Sequence, residues 1–148
     1  MDISLASDHA GFYLKQHMAA YLAAKGHQVT DRGPEDEARV DYPDYAAKVA
    51  ADVSGGLTEK GILICGTGIG MAIAANKCPG IRAANVASPA FAALAREHND
   101  ANIVCLSARF IDASTNEAIV DAFLATAFAG GRHQERVDKI SCLEAQCE

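Results

Sequence analysis

Short apolar runs alternate with longer stretches of helical spacing along this chain, and each change-over carries glycine, proline or a polar cluster. That pattern demands a parallel sheet, because two parallel strands cannot be joined by a hairpin and need a crossover helix. Residues 3–6, 28–31, 61–65, 81–86 and 103–106 are the expected strands. Residues 12–24, 42–53, about 70–76, 89–97, 114–128 and 132–145 are the expected helices. Gly26 stands where a C-terminal cap belongs, and Ser88-Pro89 supplies an N-cap and a first-turn proline. Ser114 with Glu117 three residues on has capping-box spacing, and Gly130-Gly131 breaks the chain before the last helix. The fold class expected is α/β: a doubly wound, Rossmann-like five-stranded parallel sheet with helices on both faces. At 148 residues, 1–148 form a single domain.

Composition removes several function classes. Lys and Arg number 13 against 19 Asp and Glu, a net charge of −6, which disfavours nucleic acid as a partner, and aromatics at 6% weaken any base-stacking proposal. No apolar run reaches the ~18 residues of a membrane span, and MDISLASDHAGF lacks a basic segment followed by an apolar stretch. A cytoplasmic protein without a membrane partner is expected. The five cysteines, at 65, 78, 105, 142 and 147, are odd in number and form no C-x-x-C pair. They are expected to be reduced, with Cys78 and Cys105 as small core residues. No zinc pattern is present, so neither metal nor cofactor is expected. His17 and His27 read as surface residues, and Glu35, Asp36 and Glu37 as a solvated loop.

Ligands of doubly wound sheets sit outside the carboxyl ends of the strands. The residues just beyond those ends are Ser7-Asp8-His9, Cys65-Gly66-Thr67-Gly68, Ala87-Ser88 and Ser107-Ala108-Arg109. A carboxylate, an imidazole, a thiol, hydroxyls and a guanidinium gathered on one rim are evidence of a site. Within it, Cys65-Gly66-Thr67-Gly68-Ile69-Gly70 is the strongest local feature. Glycines let backbone N–H groups approach an oxyanion, and the helix start adds partial positive charge. The third glycine of a dinucleotide fingerprint would fall on Met71, and no Gly-Lys-Ser/Thr follows, so neither nucleotide motif is met. Read alone, the cluster is equally a tight turn. Cys65 adds chemistry to it, because a thiol beside a helix start suits a base or nucleophile.

Two further motifs have both a plain and a functional reading. His98-Asn99 closes a helix just before the fifth strand, where a histidine either meets the helix dipole at the surface or titrates usefully in a site. Arg132-His133-x-x-Arg136 puts two guanidiniums four apart on one helical face, suited to phosphate or to pairing with Glu135 or Asp138.

Six blocks in order, SDHAGFYLK (7–15), DYPDYA (41–46), GILICGTGIGMAIAANK (61–77), GIRAA (80–84), REHNDAN (96–102) and GGRHQERV (130–137), resemble the ribose-5-phosphate isomerase B family. That family includes the galactose-6-phosphate and allose-6-phosphate isomerases, and the match runs from about Met1 to Ile140. The resemblance implies a metal-free aldose–ketose isomerisation of a sugar phosphate, ribose 5-phosphate to ribulose 5-phosphate, through a cis-enediolate. It makes Cys65 the base between C2 and C1, Thr67 the hydroxyl assisting exchange at O1 and O2, and His98 the ring opener. It makes Gly66, Gly68 and Gly70 oxyanion donors, Asn99 a contact to the intermediate, and Asp8 a holder of substrate hydroxyls. His9, Arg109, Arg132 and Arg136 become the phosphate clamp, and Tyr42 part of the block closing over the sugar. Where a branch of the family carries a glutamate base, this chain has Met71, so it is similar to the cysteine branch. The resemblance also implies a homodimer or dimer of dimers, with sites shared between subunits and the C-terminal helix used in dimerisation.

Erythrose 4-phosphate and allose or galactose 6-phosphate are the rival substrates, since such relatives share the catalytic residues. A non-catalytic sugar-phosphate binder needs the arginines but no base, and Cys65, Thr67 and His98 together argue against it. A nucleotide-binding module lacks its fingerprint here.

Overall fold

In the computed structural model, which describes residues 1–145, five parallel strands form one sheet in the order β2-β1-β3-β5-β4. They are β1 (Asp2–Ser7), β2 (Gln28–Asp31), β3 (Lys60–Cys65), β4 (Ala83–Asn85) and β5 (Ile103–Ser107). The helices are α1 (Phe12–Ala24), α2 (Tyr42–Ser54), α3 (Ile69–Ala75), α4 (Pro89–Asn99), α5 (Ala113–Ala125) and α6 (Arg132–Ala145). Winding proceeds outward from β1 to β2, then reverses through β3 toward β5 and β4. The reversal lies between β1 and β3, where a ligand crevice is expected in such folds.

Strand alternation divides the core. Ile3, Leu5, Ile62, Ile64, Val104 and Leu106 face α1, α4 and α5, where Met18, Leu22, Ile119 and Phe123 cover them. Leu63, Cys65, Ile103 and Cys105 face α2 and α3, covered by Val49, Ala50, Met71 and Ala75. Gly61 is demanded by that second face, because a Cβ there would lie 2.7 Å from Val49 Cγ1. Among the described residues no helix is long and apolar enough to cross a membrane.

Several sequence expectations change by a physical cause. The fourth strand shrinks to Ala83–Asn85, because Asn76 takes both polar groups of Ala83 at its start and the paired register runs only to Asn85. The capping box at Ser114 and Glu117 is not formed. Asp112 is the N-cap of α5, its Oδ1 accepting the Thr115 N–H at 2.7 Å, while Glu117 accepts from His17 Nε2. That helix stops at Ala125 rather than 128, where Thr126 leaves helical geometry and returns its hydroxyl to the Ala122 carbonyl. Cys78 is only half-buried, whereas Cys105 is fully buried. The Ser88 cap stands, accepting from Phe91 N–H. Cys147 lies outside the described residues.

One buried polar network ties β1 and the residue after β2 to α2. Asp52 accepts from Ser4 Oγ at 2.6 Å and from Arg32 Nε and Nη2 at 2.7 Å each. Burial alone would raise its carboxyl, but the Arg32 and Ser4 hydrogen bonds and the Arg32 charge outweigh that and hold it below the usual range. A carboxylate lowered on folding stabilises the fold above its unfolded value near 4 and loses that contribution as pH falls through the lowered value. Asp52→Asn should therefore cost about 1–2 kcal/mol at pH 7, Arg32 being partly solvated, and clearly less near pH 3. Urea unfolding at the two pH values checks this. Equal losses at both would place the effect in packing instead of charge.

Candidate active site

The carboxyl edge of β1, β3 and β5 is where the sequence-expected groups converge. Cys65 ends β3 with its side chain on the α2/α3 face and is only 5% exposed. The chain then turns through Gly66, Thr67 and Gly68 into α3. Gly68 adopts φ 80°, and an added Cβ would run into the Asn85 amide nitrogen and within 3.1 Å of the Cys105 carbonyl oxygen. Glycine is the residue that fits both demands. This turn aims the Gly68 N–H at Cys65 Sγ, at 3.1 Å. Gly68 therefore donates to the thiol, not outward, and the N–H groups of Gly66 and Gly70 are the ones left without a partner among the described residues.

Thr67 Oγ1 accepts the Ile69 N–H at 3.1 Å, which leaves its hydroxyl hydrogen available to donate. The Gly66 carbonyl is held by Ser107 Oγ at 2.8 Å and by the Arg109 N–H at 3.1 Å. This brings the Arg109 side chain across Gly66, where an added Cβ would sit 3.2 Å from Nη1. Tyr42, at the start of α2, lays its ring against Gly70, whose missing side chain makes the room. Just beyond β1, Asp8 is buried and accepts the Gly11 N–H on Oδ1, and Oδ2 has no partner among the described residues. His9 accepts the Val40 N–H on Nδ1 at 3.4 Å, so the opposite ring nitrogen, Nε2, is left to donate outward. Burial pushes the Cys105 thiol up, with Cys65 beside it as the smaller cause, so the sulfur beneath the site stays protonated.

His98, Asn99, Arg132 and Arg136 are elsewhere. Helix α4 runs back across the sheet to the amino edge, where Ile103 pairs with Gly61, while Cys65 pairs with Ser107 at the far end. The separation is a whole strand, roughly 13 Å at ~3.3 Å per residue, so one chain cannot bring His98 to its own Cys65. At that edge the His98 and His133 rings stack with centroids 4.2 Å apart, and the Ala129 N–H donates to the Glu97 carbonyl. His133 is held below the usual imidazole range by burial first, then by His98, Arg132 and Arg136, against the opposing pull of Glu97. Arg132 and Arg136 form no ion pair among the described residues, and Asp138 accepts from Gln134 instead. Asp100, in the left-handed region at φ 45°, accepts from both Arg96 and Arg82 and fixes the turn that follows His98-Asn99.

Sequence reasoning missed Asn85, the stacking of His133 on His98 and this cluster of Arg82, Arg96 and Asp100. His133 was visible inside the arginine motif. Asn85 gave no signal, since only the sheet order brings β4 beside the β3 turn. Two cavities, of about 630 and 940 Å³, are lined respectively by residues around Arg82 and Asn99 and by residues around Arg32 and Tyr45. Cys65 lines neither.

Comparison with known proteins gives concordant results. A family model described as Ribose/Galactose Isomerase matches residues 3–140. Ribose-5-phosphate isomerase B of Escherichia coli (strain K12) is 46% identical over 142 residues, covering 96% of this chain and 95% of that protein. The Clostridium thermocellum ribose-5-phosphate isomerase B structure superposes with a TM-score of 0.99 at 46% identity, covering all of both chains. The Mycoplasma genitalium enzyme, solved with bound ribulose-5-phosphate, superposes at 0.94 with 49% identity over 98% and 97% of the two chains. With its glycine turn and thiol at the reversal of the sheet, the chain belongs to the ribose/galactose isomerase family.

Proposed function

We propose that this chain is a type B ribose-5-phosphate isomerase, interconverting ribose 5-phosphate and ribulose 5-phosphate through a cis-enediolate. The observation that carries this reading is the thiol of Cys65 against the Gly66–Gly70 turn, with Asp8, His9, Thr67 and Arg109 around it. Cys65 takes the C2 proton and returns it to C1, and Thr67 shuttles the hydroxyl proton between O1 and O2. The N–H groups of Gly66 and Gly70 face the developing oxyanion, the interaction that usually contributes most in such chemistry. Asp8 Oδ2 accepts from sugar hydroxyls, and Tyr42 closes over the ring.

His98 opens the furanose, Asn99 contacts the intermediate, and Arg132 and Arg136 join His9 and Arg109 on the phosphate. His98, Asn99, Arg132 and Arg136 lie on the opposite sheet edge from Cys65, so they serve the site of a second subunit in a homodimer or dimer of dimers, with α6 contributing to dimerisation. The exposed pair Ile69 and Ile73 on one face of α3, with Phe91 and Leu94 on α4, supports such an interface. The odd number of cysteines and the lack of a C-x-x-C pair support a reducing cytoplasm as the compartment.

A panel of kcat/KM values over four-, five- and six-carbon aldose phosphates tests the assignment. The five-carbon substrate should lead. A lead for erythrose 4-phosphate or a six-carbon phosphate would reassign the substrate, and no turnover of any would overturn the reading. In the same panel, His98→Asn should harm ribose 5-phosphate far more than erythrose 4-phosphate, whose O4 is esterified and cannot close a furanose ring. Equal harm to both would give His98 a task other than ring opening.

A further inference from the structure

We infer that Asn85 is a positioning residue for Cys65, acting through the Thr67–Gly68 peptide. Asn85 Nδ2 donates to the Thr67 carbonyl at 3.1 Å and to the Cys105 carbonyl at 3.2 Å. Both partners are acceptors, so the amide must present its nitrogen to them, and both of its hydrogens are spent. The Thr67 carbonyl belongs to the same planar unit as the Gly68 N–H, which points at Cys65 Sγ from 3.1 Å. The Asn85 amide, that peptide and the sulfur are thus linked in a chain of donors all running toward the thiol. A donor polarised at its carbonyl end is a better donor at its nitrogen, and a donor aimed at sulfur favours the thiolate over the thiol.

Asn85 also fixes the plane itself. Gly68 has no side chain to hold its φ of 80°, and the Cys105 carbonyl anchors the Asn85 amide to β5. Without that brace the Thr67–Gly68 peptide could rotate its N–H off the sulfur at little cost. Asn85 is itself exposed at the end of the edge strand, so its replacement leaves the core alone. The other titratable or charged groups around the thiol are Asp8 and His9 beyond β1, Tyr42 at α2, Cys105 on β5 and Arg109 after it.

This inference rests on Cys65 being the base of the proposed isomerase, and its test does not require turnover. The rate of Cys65 carbamidomethylation by iodoacetamide, followed on the Cys65 peptide by mass spectrometry, is measured against pH for wild type, Asn85→Ala and Asn85→Asp. Loss of one polarised donor should move the Asn85→Ala profile upward by about 0.5–1 pH unit. Asn85→Asp, which sets a carboxylate against two carbonyls, should move it further. The acid limb of kcat should shift by the same amount with KM nearly unchanged. An unshifted alkylation profile in both variants overturns the inference, whatever their activity. A shifted profile in a protein that isomerises no sugar phosphate would uphold Asn85 and sink the assignment of function.

Discussion

Replacing Cys65 with alanine is expected to lower kcat by about 10²–10⁴-fold while leaving KM and the unfolding midpoint almost unchanged, the usual cost of removing a general base. The sulfur lies at the end of β3, receives the Gly68 N–H, and contributes little buried area that alanine would not keep. The carbonyls that hold the turn are tied to Ser107, Arg109 and Asn85, so the loop survives the loss. Isothermal titration with a substrate-like phosphate should then show near-normal binding, and stopped assays a near-absent rate. A variant retaining more than about a tenth of the wild-type kcat would move the base role to another group.

Subunit mixing should restore what two single variants lose. Cys65→Ala and His98→Ala should each be nearly inactive on ribose 5-phosphate alone. A two-fold pair of one variant with the other contains one site damaged twice and one site with both residues intact. Random re-pairing after joint unfolding makes half the dimers mixed, with one good site in two, so activity should return to roughly a quarter of wild type. No recovery in a mixture shown to contain mixed dimers would mean that Cys65 and His98 do not meet across subunits. The expectation rests on the proposed shared site, and the register supplies its premise, since Gly61–Ile103 and Cys65–Ser107 mark the two ends of one ladder and keep His98 from its own Cys65.

Much of this architecture was readable in the residues. The apolar runs at 61–65 and 103–106 read as buried parallel strands from their alternation with helical stretches, and Gly66 and Gly68 announced the turn that leads into α3. The helix ends were less readable, for a local reason. Ser114 and Asp112 compete for the same N-cap, and the winner is set by where β5 delivers the chain, with Asn116 holding the Ser107 and Ile111 carbonyls. For the site, the residue types on the carboxyl rim were visible because strand ends are. What could not be read was that the Gly68 N–H turns inward to sulfur, since that depends on Asn85 from an edge strand seventeen positions further along. The six ordered blocks tied His98 and the arginines to the same chemistry, yet only the sheet shows that their own chain holds them at the wrong edge.

The bracing of Asp100 by Arg82 and Arg96 gives the amino edge a particular character. The turn behind His98-Asn99 is set by three charged side chains and by carbonyls at 99, 100, 101 and 126 before any second subunit arrives. In the proposed homodimer each chain would then lend one half of a site already braced within itself and receive the other, so docking would not need to reshape this turn. Assembly then pays little in ordering, and the onset of turnover on mixing dilute chains should follow the encounter of two subunits, second order in chain concentration, with no later slow phase.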